Sequence, residues 1–195
     1  VGNLKVRHSA LVNLQKKWLK KLKGNKLRFL SIWLLTLTLL SNCGSFGPVS
    51  KNILKYRGPE VTRILVDKSQ RKMYLINGDK TIKKFKIDLG FSPKGHKGKQ
   101  GDGRTPEGLY FIDRQNYHSK YFLSMGISYP NAKDTVRANS MGIDPGGDIF
   151  IHGGPRYKGE YGKRDWTAGC ISVSDKNMLS IYSMVKVGTP ILIKP

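Results

Sequence analysis

The sequence predicts a mainly β domain over residues 61–195, with a short helix near its end. From Val61 onward, short runs of β-branched and aromatic residues alternate with Gly, Pro, Asn and Asp turn signals, which is the rhythm of short strands rather than long helices. Asn77-Gly78 stands between two such runs, and Asn-Gly is the strongest two-residue hairpin signal. In the run that follows, Ile82, Phe85, Ile87 and Leu89 interleave with Lys83, Lys84, Lys86 and Asp88, so one face is buried and the other basic.

Taken in order, strands are expected at residues 61–66, 73–76, 82–89, 109–112, 122–127, 148–152, 170–173 and 191–193. One segment breaks the β pattern. After Asp175, read as an N-cap, Met178, Ile181, Tyr182 and Val185 recur at helical spacing, so a short helix packs on the sheet just after the cysteine strand. Gly188-Thr189-Pro190 then turns the chain into the last strand. Residues 92–108, SPKGHKGKQGDGRTPEG, are too rich in glycine and charge for core and read as a long ordered loop or flap. His96 within it is a weak catalytic candidate, a solvated histidine among lysines being the commoner case. Thr105-Pro106-Glu107-Gly108 has the form of a tight turn entering a strand.

Charge is unevenly placed. The 195 residues carry a net charge of +22, of which +9 falls in residues 1–43, +10 in 44–100 and only +3 in 101–195. Such a basic half suits an anionic polymer, an anionic membrane or nucleic acid, or is simply a solvated surface. Nucleic acid is disfavoured because zinc-finger spacing, RNP-like aromatics and a helix-turn-helix are all missing from the sequence.

Residues 1–43 read as a long basic n-region followed by an apolar segment, FLSIWLLTLTLL, of signal-peptide length and short of a comfortable membrane span. A short membrane anchor or a core helix is the alternative. Leu40-Ser41-Asn42-Cys43 resembles a bacterial lipobox, with Asn42 where a small residue is usual. Cys43 is therefore a lipidation candidate, ordinary signal cleavage and a buried thiol being the other readings. Residues 44–60 carry Gly, Pro and Ser and read as a linker. The organisation expected is leader, linker and catalytic domain in an exported protein held at the envelope through a signal or lipid anchor.

Chemistry concentrates in Ile151 to Asp175. His152 ends an apolar run, and Cys170 follows Gly169. A thiol needs a base or a lowered pKa to act as a nucleophile, and an imidazole provides either. Amides around the Gly169-Cys170 turn could face an oxyanion, and a carbonyl in the Gly153-Gly154 stretch could orient the histidine. With two cysteines in the whole chain and no HExxH spacing, the residues make a poor zinc set.

His152, then fourteen residues, then Thr167-Ala168-Gly169-Cys170-Ile171-Ser172 resembles the signature of the YkuD-type L,D-transpeptidases, which has Ser/Thr-His-Gly-Cys-apolar-Asn/Arg after its first histidine. Ala168 and Ser172 depart from it. Together with Gly101 to Gly108, Ile127 to Asn131 and Val187 to Pro190, Asp165 to Cys170 is similar to the YafK-like branch of that family. The resemblance covers about residues 61–195. It implies a mainly β, sandwich-like or barrel-like YkuD catalytic domain, Cys170 as nucleophile and His152 as base on peptidoglycan stem peptides, a thioester acyl-enzyme, and no metal or organic cofactor. With Asn/Arg absent at 172, Arg104 and Arg164 become candidates for substrate carboxylates, with Trp166, Thr167 and Ser172 shaping the groove. Three functions remain open at this level: an L,D-transpeptidase in cell wall biogenesis, a hydrolase releasing a peptidoglycan-linked lipoprotein by the same chemistry, and a non-catalytic wall-binding lipoprotein.

Overall fold

A computed structural model describes residues 51–53 and 55–195. The leader, Cys43 and the first part of the linker lie outside the described residues. Eight strands and two helices follow in order: β1 (Arg63–Asp67), β2 (Lys72–Asn77), β3 (Lys80–Lys86), β4 (Gly108–Asn116), β5 (Ser124–Ile127), α1 (Ala132–Ser140), β6 (Phe150–His152), β7 (Ile171–Ser172), α2 (Asp175–Met184) and β8 (Pro190–Lys194).

The strands lie side by side as β3-β2-β1-β8-β4-β5-β6-β7. Pairing is antiparallel except at β1–β8 and β6–β7. Inward-facing Ile64, Val66, Met73, Tyr110, Ile112, Ile191 and Ile193 alternate with exposed or half-buried neighbours, as the two-residue period of a strand requires; in β2 the register shifts between Leu75 and Ile76, and both are buried. Met178 and Ile181 of α2 complete this core, both fully buried.

The run expected as one strand over residues 82–89 is two pieces. Residues through Lys86 pair with β2, and the chain then crosses to the opposite end of the sheet. There Asp88 exchanges both backbone hydrogen bonds with Ser172, at 2.9 and 2.8 Å, and the Phe91 amide donates to the Thr167 carbonyl at 2.8 Å. The sheet curls back on itself because one continuous segment serves both its edges. Edges that pair are edges that do not aggregate.

Other expectations shift locally. Asn77 is the last residue of β2, and Gly78 and Asp79 form the hairpin loop. Ser174, not Asp175, caps α2, its hydroxyl accepting the Asn177 amide at 3.3 Å. The helix α1 was not anticipated, though it carries a readable capping box: Asn131 accepts the Asp134 amide at 3.1 Å while the Asp134 carboxylate accepts the Asn131 amide at 3.1 Å.

The loop 92–108, expected outside the core, reaches into it. Thr105 and Lys97 are buried, and Thr105 accepts the Gly90 amide through its hydroxyl at 3.1 Å. The cause is Lys68, itself buried, whose ammonium donates to the carbonyls of Gly95 and Thr105 at 2.6 and 2.9 Å and to Glu107 at 2.7 Å. All three of its protons are used, which is the condition for burying an ammonium.

Candidate active site

His152 is the last residue of β6, and Cys170 stands just before β7. In the parallel register Ile151 faces Ile171 and His152 faces Ser172. Since Ser172 and Cys170 are two residues apart, Cys170 and His152 project to the same face as diagonal neighbours.

The histidine is buried, and its Nδ1 lies 2.7 Å from the Gly153 carbonyl oxygen. That carbonyl accepts the Nδ1 proton and leaves Nε2 as the basic nitrogen. Gly153 is obligatory in this arrangement, because a Cβ would stand 2.6 Å from the Tyr121 carbonyl and 2.9 Å from Phe122 Cβ. Burial lowers the His152 pKa from its ordinary value, partly opposed by the bond to Gly153 and the charge of Glu160. Burial likewise raises the Cys170 thiol, partly opposed by the Phe150 amide. The resting pair is thus a neutral thiol and a neutral imidazole. The thiol donates to the Asp148 carbonyl at 3.5 Å, and among the described residues no hydrogen bond joins it to His152.

Two aromatic rings wall the histidine. Tyr121 lies over it with centroids 4.6 Å apart, and Trp166 meets it edge-on at 5.6 Å. The Tyr121 phenol donates to Glu160 at 2.8 Å, and the other Glu160 oxygen accepts the Arg156 and Tyr157 amides at 2.9 and 3.1 Å. Burial, then this bond, push the Tyr121 pKa up to about 12. A loop turn is thereby latched over the base.

The remaining residues singled out from sequence take different places. Gly169 has φ 135°, and a Cβ there would meet the Arg104 carbonyl at 2.8 Å. Its amide donates to Thr167 Oγ1 at 3.2 Å, so it is not available to an oxyanion, whereas the Cys170 amide has no partner among the described residues. The Gly154 amide is held by Asp175 at 3.0 Å. Thr167 also donates to the Cys170 carbonyl at 2.7 Å, so it fixes the Gly169-Cys170 turn. The Ser172 hydroxyl is buried and donates to the Gly153 carbonyl at 3.2 Å, sharing the acceptor of His152. The Arg104 side chain lies toward Gly95, whereas Arg164 lines a cavity beside the site. His96 is remote in role, its Nδ1 beside the Glu107 backbone and its Nε2 3.0 Å from Asp134.

Nothing in KYF, KGE or DPGGD sets Tyr121, Glu160 and Asp148 apart from ordinary loop residues in the sequence. Among the described residues no cluster of three or more His, Cys, Asp or Glu side chains suits a metal, and no helix is long and apolar enough to cross a membrane.

The chain is similar to known proteins over the same span. Residues 61–193 match the model of the YkuD family, the L,D-transpeptidase catalytic domain. YafK of Escherichia coli (strain K12) is 29% identical over 121 residues, covering 59% of this chain and 47% of that protein. The crystal structure of the helical cell shape determining protein Pgp2 from Campylobacter jejuni superposes with a TM-score of 0.53 and 27% identity, over 75% of this chain and 52% of that one. Its K307A mutant gives a TM-score of 0.58 and 25% identity, over 73% and 50%. The chain thus spans about half the length of the relatives it matches. With the matched region covering all but the last residue of the curled sheet and both motif residues, this chain belongs to the YkuD family of L,D-transpeptidase catalytic domains.

Proposed function

We propose that the domain is a cysteine acyltransferase of peptidoglycan stem peptides, working in the cell envelope. The observation that carries this reading is the tautomer of His152: with Nδ1–H committed to Gly153, the free Nε2 faces the same side of the sheet as a neutral thiol. Cys170 Sγ attacks the carbonyl of the third-position diamino acid while His152 Nε2 takes the thiol proton. The Cys170 amide supports the oxyanion in place of Gly169. Collapse breaks the carbon–nitrogen bond, and His152 returns the proton to the leaving amine. The thioester then passes to an acceptor amine, giving a cross-link, or to water, giving a trimmed peptide or a released lipoprotein.

No metal or organic cofactor enters any step. Trp166 and Tyr121 wall the approach and Arg164 offers a cation to the substrate. Residues 1–43, read as an export leader, support a location outside the cytoplasm, with Cys43 as the lipidation candidate. The test is to incubate the domain and its Cys170→Ala variant with muropeptides and lipoprotein-linked sacculi and follow products by mass spectrometry. New cross-links identify transfer, and released lipoprotein or shortened monomers identify hydrolysis. Unchanged substrates with no adduct on Cys170 would leave only a wall-binding role.

A further inference from the structure

A second feature lies where the two ends of the curled sheet meet. A cavity of about 680 Å³ opens between the β2–β3 edge and the start of α2, lined among others by Arg71, Lys72, Lys86, Asp88, Arg164 and Asn177. It adjoins the catalytic strands, because Ser172 and Gly154, each two residues past a member of the Cys-His pair, are also in its wall.

Its charge is unbalanced. Lys72 and Lys86 are direct cross-strand partners, an arrangement of like charges that destabilises a sheet unless something neutralises it. Lys72 reaches only the neutral Gln70 side chain, at 3.1 Å. Lys86 and Arg164 have neither ion-pair nor hydrogen-bond partners among the described residues. Arg71 is the exception, held bidentate by Asp165 at 2.9 and 2.7 Å. Asp88 is the one carboxylate in the wall, and it already accepts the Asp165 amide at 3.4 Å. Asp67, across from Lys72 on β1, and Asp165, next to Arg164, offset part of this charge from outside the wall, and Asp175 sits in the first turn of α2, leaving the wall itself with Lys72, Lys86 and Arg164 against the single carboxylate of Asp88.

We propose that this seam is a carboxylate-binding subsite, in which Lys72, Lys86 and Arg164 hold a free carboxylate of the stem peptide while its reacting carbonyl lies at Cys170. The choice of stem peptide rests on the function proposed above; the cationic seam does not. Arg164, whose guanidinium presents a planar fork, is suited to grip a carboxylate in two places, and the lysines supply point charges behind it. The subsite supplies the anion recognition that Ser172, turned inward to Gly153, does not.

The test uses binding, so that turnover does not enter. Calorimetric titration of the Cys170→Ala protein with a stem tetrapeptide is compared with the same peptide carrying amidated carboxylates. Amidation is expected to weaken binding by about tenfold or more, the effect of losing a charge-assisted pair. In a Lys86→Gln, Arg164→Gln background the two peptides should bind alike, whereas Lys80→Gln, on the same strand but outside the cavity, should keep the preference. Near-ultraviolet circular dichroism checks that each variant is folded. Equal binding of the two peptides, absence of any peptide binding, retention of the preference in the double variant, or its loss in Lys80→Gln each overturns the subsite. Failure of the intact Cys170 enzyme to form a thioester, with the binding preference preserved, would instead overturn the catalytic reading alone.

Discussion

The catalytic corner and the loop 92–108 are both built from polar residues pulled into the interior, and they solve that problem in opposite ways. The loop is held by full charges that meet: Lys68 with Glu107 at 2.7 Å and Lys97 with Asp102 at 3.0 Å. At the corner, His152, Ser172 and Thr167 hydrogen-bond to backbone carbonyls, and neither His152 nor Cys170 has an ion-pair partner among the described residues. Paired charges lock a segment, since neither partner can leave without stranding the other. Neutral partners instead fix geometry while leaving a proton free to move, which is what a base beside a thiol needs.

The comparison can be broken at several points. Replacing His152 by Ala should lower the rate of Cys170 acylation by roughly 10²–10⁴-fold, the range for loss of a general base, with the melting curve preserved; unchanged acylation would remove the histidine from that role. Lys68→Ala should cost about 3 kcal/mol in urea unfolding, because it strands Glu107 and two carbonyls in a buried setting. A change well under 1 kcal/mol would mean that the loop is not anchored there.

Asp102 tests the loop by pH. Burial works against its charge, but the amides of Arg104, Gly98 and Lys99 and the Lys97 ammonium outweigh it and hold the pKa at about 2, below the usual 3.8. A depressed carboxylate stabilises the fold above the unfolded value and loses that contribution as pH falls toward the folded one. The fold should therefore lose about 2 kcal/mol between pH 4 and 2 through this group. Asp102→Asn should be less stable at neutral pH and flatter across that window.

The smallest effect expected is at the latch. Acylation by the wild type should rise with pH along a limb centred below 6.5, because burial lowers the His152 pKa. Glu160→Gln removes an anion that favours the imidazolium, so this limb should move further down. Tyr121→Phe, which keeps the ring over His152 but loses the bond to Glu160, should affect peptide KM more than the limb. A limb that stays in place in Glu160→Gln would show that the carboxylate does not reach the base electrostatically.

Much of the sheet was readable because inward residues alternate. Ile191 and Ile193, or Tyr110 and Ile112, announce a buried face in any short window. The helix α2 was readable by its 3.6 period, with its cap misplaced by one residue. By contrast α1 buries little beyond Ala138 and Asp134, so it has no apolar stripe, and only its capping box marks it. The break at Lys86 could not be read, since Phe85 before it and Ile87 and Leu89 after it are all buried and periodicity does not tell which neighbour a strand pairs with.

By itself the sequence determined the residue types available for chemistry: one thiol in a tight glycine turn, one histidine at the end of an apolar run, and a basic half with few acids. The tertiary structure decided their roles. The Gly153 carbonyl takes the His152 Nδ1 proton, Gly169 yields its amide to Thr167, and Ser172 turns inward to the same Gly153 carbonyl. Lys72, Lys86 and Arg164 gather around one cavity although 92 positions of chain separate the outermost two. The reason is physical: local pattern records which side of a strand is apolar, while hydrogen-bond partners and charge neighbours are set by which strands the closing sheet brings together.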